Sequence, residues 1–505
     1  MLCSLFFSYF AICILFDMPF FSSKLPPYTG PYDVGTIDLE VPCEDKRQLS
    51  EAVFRDTGKP AFALDTVLFS LFYPTVKGAV SQKPKHLWIP KPLYLTAEGY
   101  ARFAHINNFF TNNLFTFALW ALAGSTSIPA NVDVPLHGTV KGYYDYETQH
   151  PIDDYGLPAF PVIVFSHGMA SSRTSYTQYC AELASRGYIV AAIEHRDGSG
   201  PGSVIMHRNG TSVDRFHFGP EHIDPTPEMA EFKALQLAMR QAEVEETVRV
   251  LRLINQGHGT ELFGMNPRGE GTDLASWRER LMLDRVLISG HSYGATLALQ
   301  TLKDGPTEAR PFVGAIILDP GKQSGPLNDD IHVPTLLIHS DSWSKRLTIF
   351  HGRPHFDVVK DLALKILDQQ HQYAWFLTSK GTTHPSVTDA PLIEPLLLSW
   401  TTGATIDVRQ GVLQYVKVTA EFMDYLATGR RHGVLSEEVT HPRYDEDTRS
   451  EERRKRMSRE IDKYWQVHVS PTTYCPAPKL CGVDDENNGV YAYVVGWRED
   501  GRAPG

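Results

Sequence analysis

The fold class this sequence predicts is α/β: a mostly parallel central sheet with helices on both faces. Three observations predict it. From Pro161 onward, short apolar runs alternate with helical segments, the order that builds a parallel sheet. The runs are continuous, as in Val162-Ile163-Val164-Phe165, and so read as strands buried on both faces. Two of them lead directly into small turns, Ser166-His167-Gly168 and Gly290-His291-Ser292-Tyr293-Gly294, at carboxyl ends of strands, where chemistry collects in such sheets.

The elements follow in order. Leu2 to Phe16 is almost wholly apolar, with no basic residue before Lys24, so residues 1–29 read as a leader that is a signal, an anchor or neither. From about Asp38 to Leu136 the sequence reads as irregular, except for a strand at Val67–Tyr73 closed by Pro74. An aromatic-rich, nearly uncharged stretch from Tyr100 to Leu122 carries Phe109, Phe110, Leu114, Phe117 and Trp120. After the strand at Val162 comes a helix with Ser171 or Ser172 as N-cap and Gly187 as its stop. Ile189–Ile193 is the next strand. A Gly- and His-rich loop then runs from Asp197 to about Pro227, and a long helix from Glu228 to Gln256 ends at Gly257. Further strands are expected at Val286–Ile288, Val313–Leu318, Thr335–Ile338 and Tyr373–Leu377. Past Thr428 the mixed-charge run Arg443 to Arg459 reads as a solvated helix or linker, followed by a tail with little core. The expected organisation is a leader (1–29), a catalytic domain (30–428) and a charged linker with tail (429–505).

Composition removes several function classes. The 505 residues are 42% hydrophobic and 21% charged, enough to form a core without metals or disulfides. A diffuse net charge of −11 argues against nucleic acid as a partner, which would require a basic face. The six cysteines are scattered and include no C-x-x-C pair, so neither a disulfide framework nor a zinc knuckle is expected. Cys475 and Cys481 are left as either a small closed loop or free thiols. One glycosylation sequon, Asn209-Gly210-Thr211, matters only outside the cytosol, and the compartment stays open. No dinucleotide fingerprint is present, and no cofactor or metal is expected.

Gly290-His291-Ser292-Tyr293-Gly294 fits G-x-S-x-G between an apolar strand and the helical start Ala295-Thr296-Leu297. This is the setting of a nucleophile elbow in the α/β-hydrolase fold, with Ser292 as nucleophile. A serine hydroxyl needs a base, and the chain order in this fold is serine, acid, histidine. His384, in a small-residue loop past the last strand, is the expected base. His371, His355 and His339 are weaker rivals. Asp319 and Asp341 each end a strand after the elbow, and the pattern alone does not choose between them as the acid. The backbone N–H groups of Met169 and Tyr293 are the expected oxyanion donors.

These residues resemble the plasma-type platelet-activating-factor acetylhydrolases, the lipoprotein-associated phospholipase A2 group. The resemblance runs from about Gly30 to Thr428. It rests on Gly30-Pro31-Tyr32-Asp33-Val34-Gly35, Leu71-Phe72-Tyr73-Pro74, Trp88-Ile89-Pro90, Ile128-Pro129-Ala130-Asn131, Phe165-Ser166-His167-Gly168 with Arg173-Thr174, Glu194-His195-Arg196-Asp197, the elbow, and Gly381 to His384. It implies a calcium-independent esterase acting on acetyl or short sn-2 acyl groups of phospholipids. It favours Asp319 over Asp341 as the acid, with His195 and Asp197 structural. It also implies contact with a lipid surface through Phe109 to Trp120 and Leu392 to Trp400. Several features depart from the family: the spacing from Ser292 to Asp319 is somewhat longer, Pro320-Gly321-Lys322 stands where an aromatic residue is common, and the stretch Ser199 to Pro227, the N-terminal leader and the tail after Thr428 have no clear counterpart. The alternatives are a serine hydrolase of another ester, such as a cutinase-like polyester or a xenobiotic, and a non-catalytic lipid-binding protein on the same fold.

Overall fold

The computed structural model describes residues 24–138, 157–321, 324–345, 349–350, 352–368, 371–395 and 402–474. The leader up to residue 23, Lys322, the stretch 396–401, and Cys475, Cys481 and the rest of the tail lie outside them. The architecture is mixed α/β with a ten-stranded, mostly parallel sheet. No described helix is long and apolar enough to cross a membrane. The chain divides into two compact units: Met1–Phe160, His167–Leu281 and Thr388–Thr401 form one, and Pro161–Ser166, Met282–Val387 and Thr402–Gly505 the other.

In the first unit, β1 (Asp33–Gln48) and β2 (Ala63–Thr75) form a long antiparallel pair, with Leu39 opposite Phe69. The region expected to be irregular therefore holds the longest strand in the described protein. The reason is visible in its side chains. Asp38 and Glu40 interrupt the apolar run, yet both are buried. Arg173 Nη2 lies 2.6 Å from Asp38, and Arg196 and Arg268 lie 2.6 and 2.7 Å from Glu40. Arginines distant in sequence make these acids compatible with a strand interior, which no local pattern reveals. Here β3 (Asn131–Val132) runs parallel to β1.

Farther along come α1 (Leu93–Phe103) and α2 (Phe109–Ala123), then, past β4 (Phe160–Ser166), α3 (Thr177–Ala184) and β5 (Ile189–Ile193), which pairs antiparallel with β2. Helix α3 starts later than the Ser171 or Ser172 cap expected for it. Ser172 to Ser175 form a turn, and the cap comes from Asp389, whose carboxylate accepts from Thr177 N and Gln178 N at 2.8 Å each. The expected loop from Asp197 holds a hairpin, β6 (Gly202–Met206) and β7 (Ser212–Phe216), whose turn is tied by Asn209 Oδ1 accepting from Thr211 N at 3.0 Å. Its strands are five residues each and mostly half-buried, and the apolar run Val204-Ile205-Met206 is too short to stand out between Gly202 and Arg208. The long helix appears as α4 (Met229–Asn255).

In the second unit the strand order is β4, β8 (Leu281–His291), β9 (Phe312–Leu318), β10 (Thr335–Ser340), β11 (Ala374–Ser379) and β12 (Trp465–Val469). Strands β8 to β11 pair in parallel, so their carboxyl ends share one edge. Helices α5 (Tyr293–Thr301), α6 (Asp341–Lys345), α7 (His355–Asp368) and α8 (Val408–Thr428) accompany them. The expectation of a core-poor tail fails for residues 429–474: β12 pairs antiparallel with β11, and its Val467 and Val469 are fully buried. The mixed-charge run before it is an ion-pair network in which Arg449 reaches Asp447 at 2.7 Å and Asp462 at 2.6 Å.

Candidate active site

The elbow is built by backbone geometry. At the end of β8, Ser292 adopts φ 56° and ψ −118°, a left-handed conformation costly for a residue with a side chain. Ser292 N donates to Leu318 O at 2.9 Å, and Ser292 O accepts from Ala295 N at 3.0 Å, so the strained residue is held from both sides. Gly290 has no alternative, because a Cβ there would lie 2.2 Å from Gly294 O. The turn presents Oγ at the start of α5, with Tyr293 its first residue, where the helix field favours negative charge.

Asp319 follows β9 with φ 47°, and its N–H donates to Ile338 O at 2.8 Å. Its buried carboxylate accepts from Ser340 N at 2.6 Å and Ser340 Oγ at 2.7 Å. Burial alone would raise its pKa. The hydrogen bond and charge of His384, with His291 and Ser340 adding, outweigh burial and hold it below the ordinary carboxylate value.

His384 opens a short 3-10 turn past β11, and its N–H donates to Ser342 Oγ at 3.2 Å. Its Nδ1 lies 2.9 Å from Asp319 Oδ2 and its Nε2 3.1 Å from Ser292 Oγ. An ionised carboxylate only accepts, so Nδ1 carries the proton and Nε2 faces the serine hydroxyl as an acceptor. This is the tautomer a general base requires.

The structure thus brings together Ser292, His384 and Asp319. Asp341 has other partners: its Oδ2 accepts from Gly381 N at 2.9 Å and Lys345 Nζ at 2.8 Å, and Tyr444 Oη donates to Oδ1. Asp341 therefore fixes the start of the loop that carries His384. Of the rival histidines, His339 and His355 stack on each other at 5.1 Å, and His371 is exposed after α7.

Sequence reading missed Trp343. Its ring lies parallel to His384 at 3.8 Å and 8°, and its Nε1–H donates to Pro320 O at 3.2 Å. No motif marks it, because the contact depends on α6 folding back over the loop after β9. His291 packs on the imidazole at 4.4 Å, and burial, with His384 adding, brings its pKa down to about 3, so it stays neutral. Among the described residues the one set of potential metal ligands is His291, Asp319 and His384, with donor atoms within 4.8 Å of one another. Asp319 and His384 already bond each other, and His384 bonds Ser292 through its other nitrogen.

In the first unit, Gly168 N–H donates to Tyr176 Oη at 3.1 Å, whereas Met169, half-buried in the turn after β4, keeps its N–H out of any hydrogen bond. The residues behind it are buried and interlocked: Arg240 Nε lies 2.8 Å from Asp197, its Nη1 donates to His167 O at 2.8 Å, and His195 Nδ1 is 2.5 Å from Glu243. Of the two stretches expected to meet lipid, α2 leaves Phe109 86%, Phe110 73% and Phe117 61% exposed. In the other, Leu392 and Ile393 are buried, contrary to expectation, and 396–400 lie outside the described residues.

Comparison with known proteins adds a family. Residues 19–426 match the family described as platelet-activating factor acetylhydrolase, isoform II. The platelet-activating factor acetylhydrolase of Canis lupus familiaris is 27% identical over 315 residues, 61% of this chain and 57% of that protein. The chain thus spans less than two thirds of that relative's length. A putative phospholipase A2 of Schizosaccharomyces pombe is 26% identical over 418 residues, 75% of this chain and 86% of that protein. In three dimensions the chain is similar to a ferulic acid esterase from Streptomyces cinnamoneus, with a TM-score of 0.50, 19% identity, and coverage of 82% of this chain and 96% of that one. This is a likeness of fold.

Proposed function

The chain belongs to the platelet-activating factor acetylhydrolase, isoform II, family, and from that premise we propose that it is a serine esterase that hydrolyses the sn-2 acetyl or short acyl ester of platelet-activating factor and related phospholipids without calcium. The observation that carries the reading is one imidazole placed 3.1 Å from Ser292 Oγ and 2.9 Å from Asp319 Oδ2 through its two different nitrogens.

The proposed reaction follows from that geometry. Ser292 Oγ attacks the ester carbonyl as His384 Nε2 takes its proton, and Asp319 stabilises the imidazolium that forms. The oxyanion is received by Tyr293 N–H. The protonated His384 gives its proton to the departing lyso-phospholipid oxygen, leaving Ser292 acylated. Water, deprotonated by His384, then attacks the acyl-enzyme, releases the carboxylic acid and restores the hydroxyl. The exposed aromatic face of α2 is the proposed contact with the lipid surface. Replacing Phe110 and Phe117 by serine should weaken sedimentation with phosphatidylcholine vesicles and spare hydrolysis of a soluble ester.

The test is acetate release from 1-alkyl-2-acetylglycerophosphocholine in the presence of a calcium chelator. We expect faster turnover than on a long-chain diacyl analogue. Ser292→Ala should lose at least about 10⁴-fold in kcat together with fluorophosphonate labelling. The hairpin β6–β7, in the stretch that the sequence led us to expect without a clear family counterpart, favours a second reading in which the ester is of another class. Turnover of non-lipid esters without acetate release would select that reading, and a wild-type protein that fails to react with fluorophosphonate would end both.

A further inference from the structure

The first unit contains a cavity of about 420 Å³ whose walls include none of the triad residues. Its volume lies in the range of small-molecule sites. Phe54, Phe216 and Phe218 supply apolar wall, and Arg215, on β7, supplies charge. We propose that this cavity binds a small organic carboxylate with an apolar, ring-sized body, held by Arg215.

The Arg215 guanidinium is the reason. It lies over the Phe54 ring at 4.8 Å and the Phe218 ring at 5.9 Å. Of its five N–H donors, one is used within the protein, Nη1 to Ala61 O at 3.3 Å. Its Nε has no hydrogen-bond partner and no exposed surface, so a ligand would meet the Nη edge of the guanidinium. Among the described residues no carboxylate comes within ion-pair distance of it, and Glu243 and Asp65 act on it only from farther away, whereas Arg173, Arg196 and Arg240 of the same unit each have a carboxylate within 2.8 Å. An unpaired, largely desolvated cation is costly. Burial, with Arg196 nearby, brings the Arg215 pKa down to about 10, so it remains charged at neutral pH. A bound carboxylate would supply the missing counter-ion.

The surroundings select the kind of anion. Arg102 is held by Glu98 at 2.7 Å and Arg55 by Asp224 at 3.3 Å, so Arg215 and the exposed Lys59 are the cations left for a ligand. Asp56, Asp214 and Glu221 also line the cavity. Three carboxylates disfavour a dianion such as phosphate far more than a monoanion. The three phenyl walls would receive a flat apolar body, and a guanidinium stacked on rings presents its edge to a carboxylate.

The probe is phenylacetate, titrated into the full chain by calorimetry and followed by thermal shift, with phenylacetamide and inorganic phosphate as comparators. The expected result is saturable binding of phenylacetate, binding by the amide and by phosphate at least about tenfold weaker, and an unchanged isotherm after Ser292 is blocked by fluorophosphonate. Arg215→Met should weaken phenylacetate by at least about tenfold while the unliganded melting temperature holds or rises, because an uncompensated charge is removed. Equal affinity for acid and amide, no saturation at millimolar concentration, or loss of binding on blocking Ser292 would each overturn the site. The acid–amide comparison needs the wild type alone, so it stands even if the variant fails to fold.

Discussion

One histidine–carboxylate pair from each unit, His195–Glu243 and His384–Asp319, makes an instructive contrast. His195 and Glu243 are 2.5 Å apart, with side chains 0% and 1% exposed. His384 and Asp319 are 2.9 Å apart, but the His384 side chain is 28% exposed. In the sealed pair, burial, with Arg240 and His167 adding, drives the His195 pKa well down, while burial and nearby Asp197 push Glu243 up to about 8. Both members are shifted toward their neutral forms. In the open pair, the bonds from His384 and Ser340 keep Asp319 ionised. A pair of the same chemical type is thus a buried strut in one place and the proposed base, held against a serine, in the other. What differs is whether the imidazole keeps one nitrogen for an acceptor role toward a serine and whether the acid has donors enough to stay charged.

The largest expected break in this comparison is Asp319→Asn. It keeps the shape but makes the acid resemble the sealed pair, neutral and able to donate, so the wrong histidine tautomer is favoured. The expected loss in kcat is about 10⁴-fold with the melting profile little changed. Asp341→Asn is the control. It removes a charged acceptor from Gly381 N–H and Tyr444, and should cost about 1–3 kcal/mol of stability while kcat stays within about tenfold. If steady-state kinetics showed Asp341→Asn as the more damaging of the two, the assignment of the acid would be reversed.

Trp343 sharpens the comparison. The open imidazole has an indole face 3.8 Å away, which favours the imidazolium that forms during proton transfer. Trp343→Leu should lower kcat by about tenfold, and Trp343→Phe should recover most of the rate. A leucine variant with an unchanged kcat, or a loss that phenylalanine does not rescue, would reduce Trp343 to packing.

The sequence made the parallel strands, the long helix, the elbow and His384 legible because each depends on neighbours within a few residues: continuous apolar runs, a glycine-flanked serine, a loop at a strand end. The family resemblance was needed to prefer Asp319, since Asp341 also ends a strand. What stayed hidden depends on distant partners. Strand β1 carries Asp38 and Glu40 inside because Arg173, Arg196 and Arg268 come to meet them. The cap of α3 is Asp389, more than two hundred residues away in sequence. Strand β12 gains its burial by pairing with β11, after a charged run that reads as solvated. Trp343 reaches His384 through the fold of α6, standing in three dimensions where the segment after Asp319 offers no aromatic side chain.

The smallest predicted effect tests the sealed pair. Glu243 is protonated in the folded protein up to about pH 8 and ionised in the unfolded chain above its ordinary value, so its contribution to stability is full at low pH and is lost as pH rises toward 8. His195 acts oppositely. It stays neutral when folded but binds a proton when unfolded below about 6.5, so its contribution is lost as pH falls below that value. Below about pH 6.5 the two slopes oppose each other; above 6.5 only the Glu243 slope remains, worth at most about 2 kcal/mol by pH 8. Glu243→Gln replaces a protonated acid by an amide that can still donate to His195 Nδ1 and accept from Arg196 N, a bond of 2.9 Å in the wild type. The variant should keep its kcat within about twofold, lie within about 1 kcal/mol of wild type at pH 6.5, and lose the decline between pH 6.5 and 8 in urea melts. A wild type with no such decline, or a variant that keeps it, would mean that Glu243 is ionised in the folded protein, and the distinction between the strut and the base would no longer rest on charge.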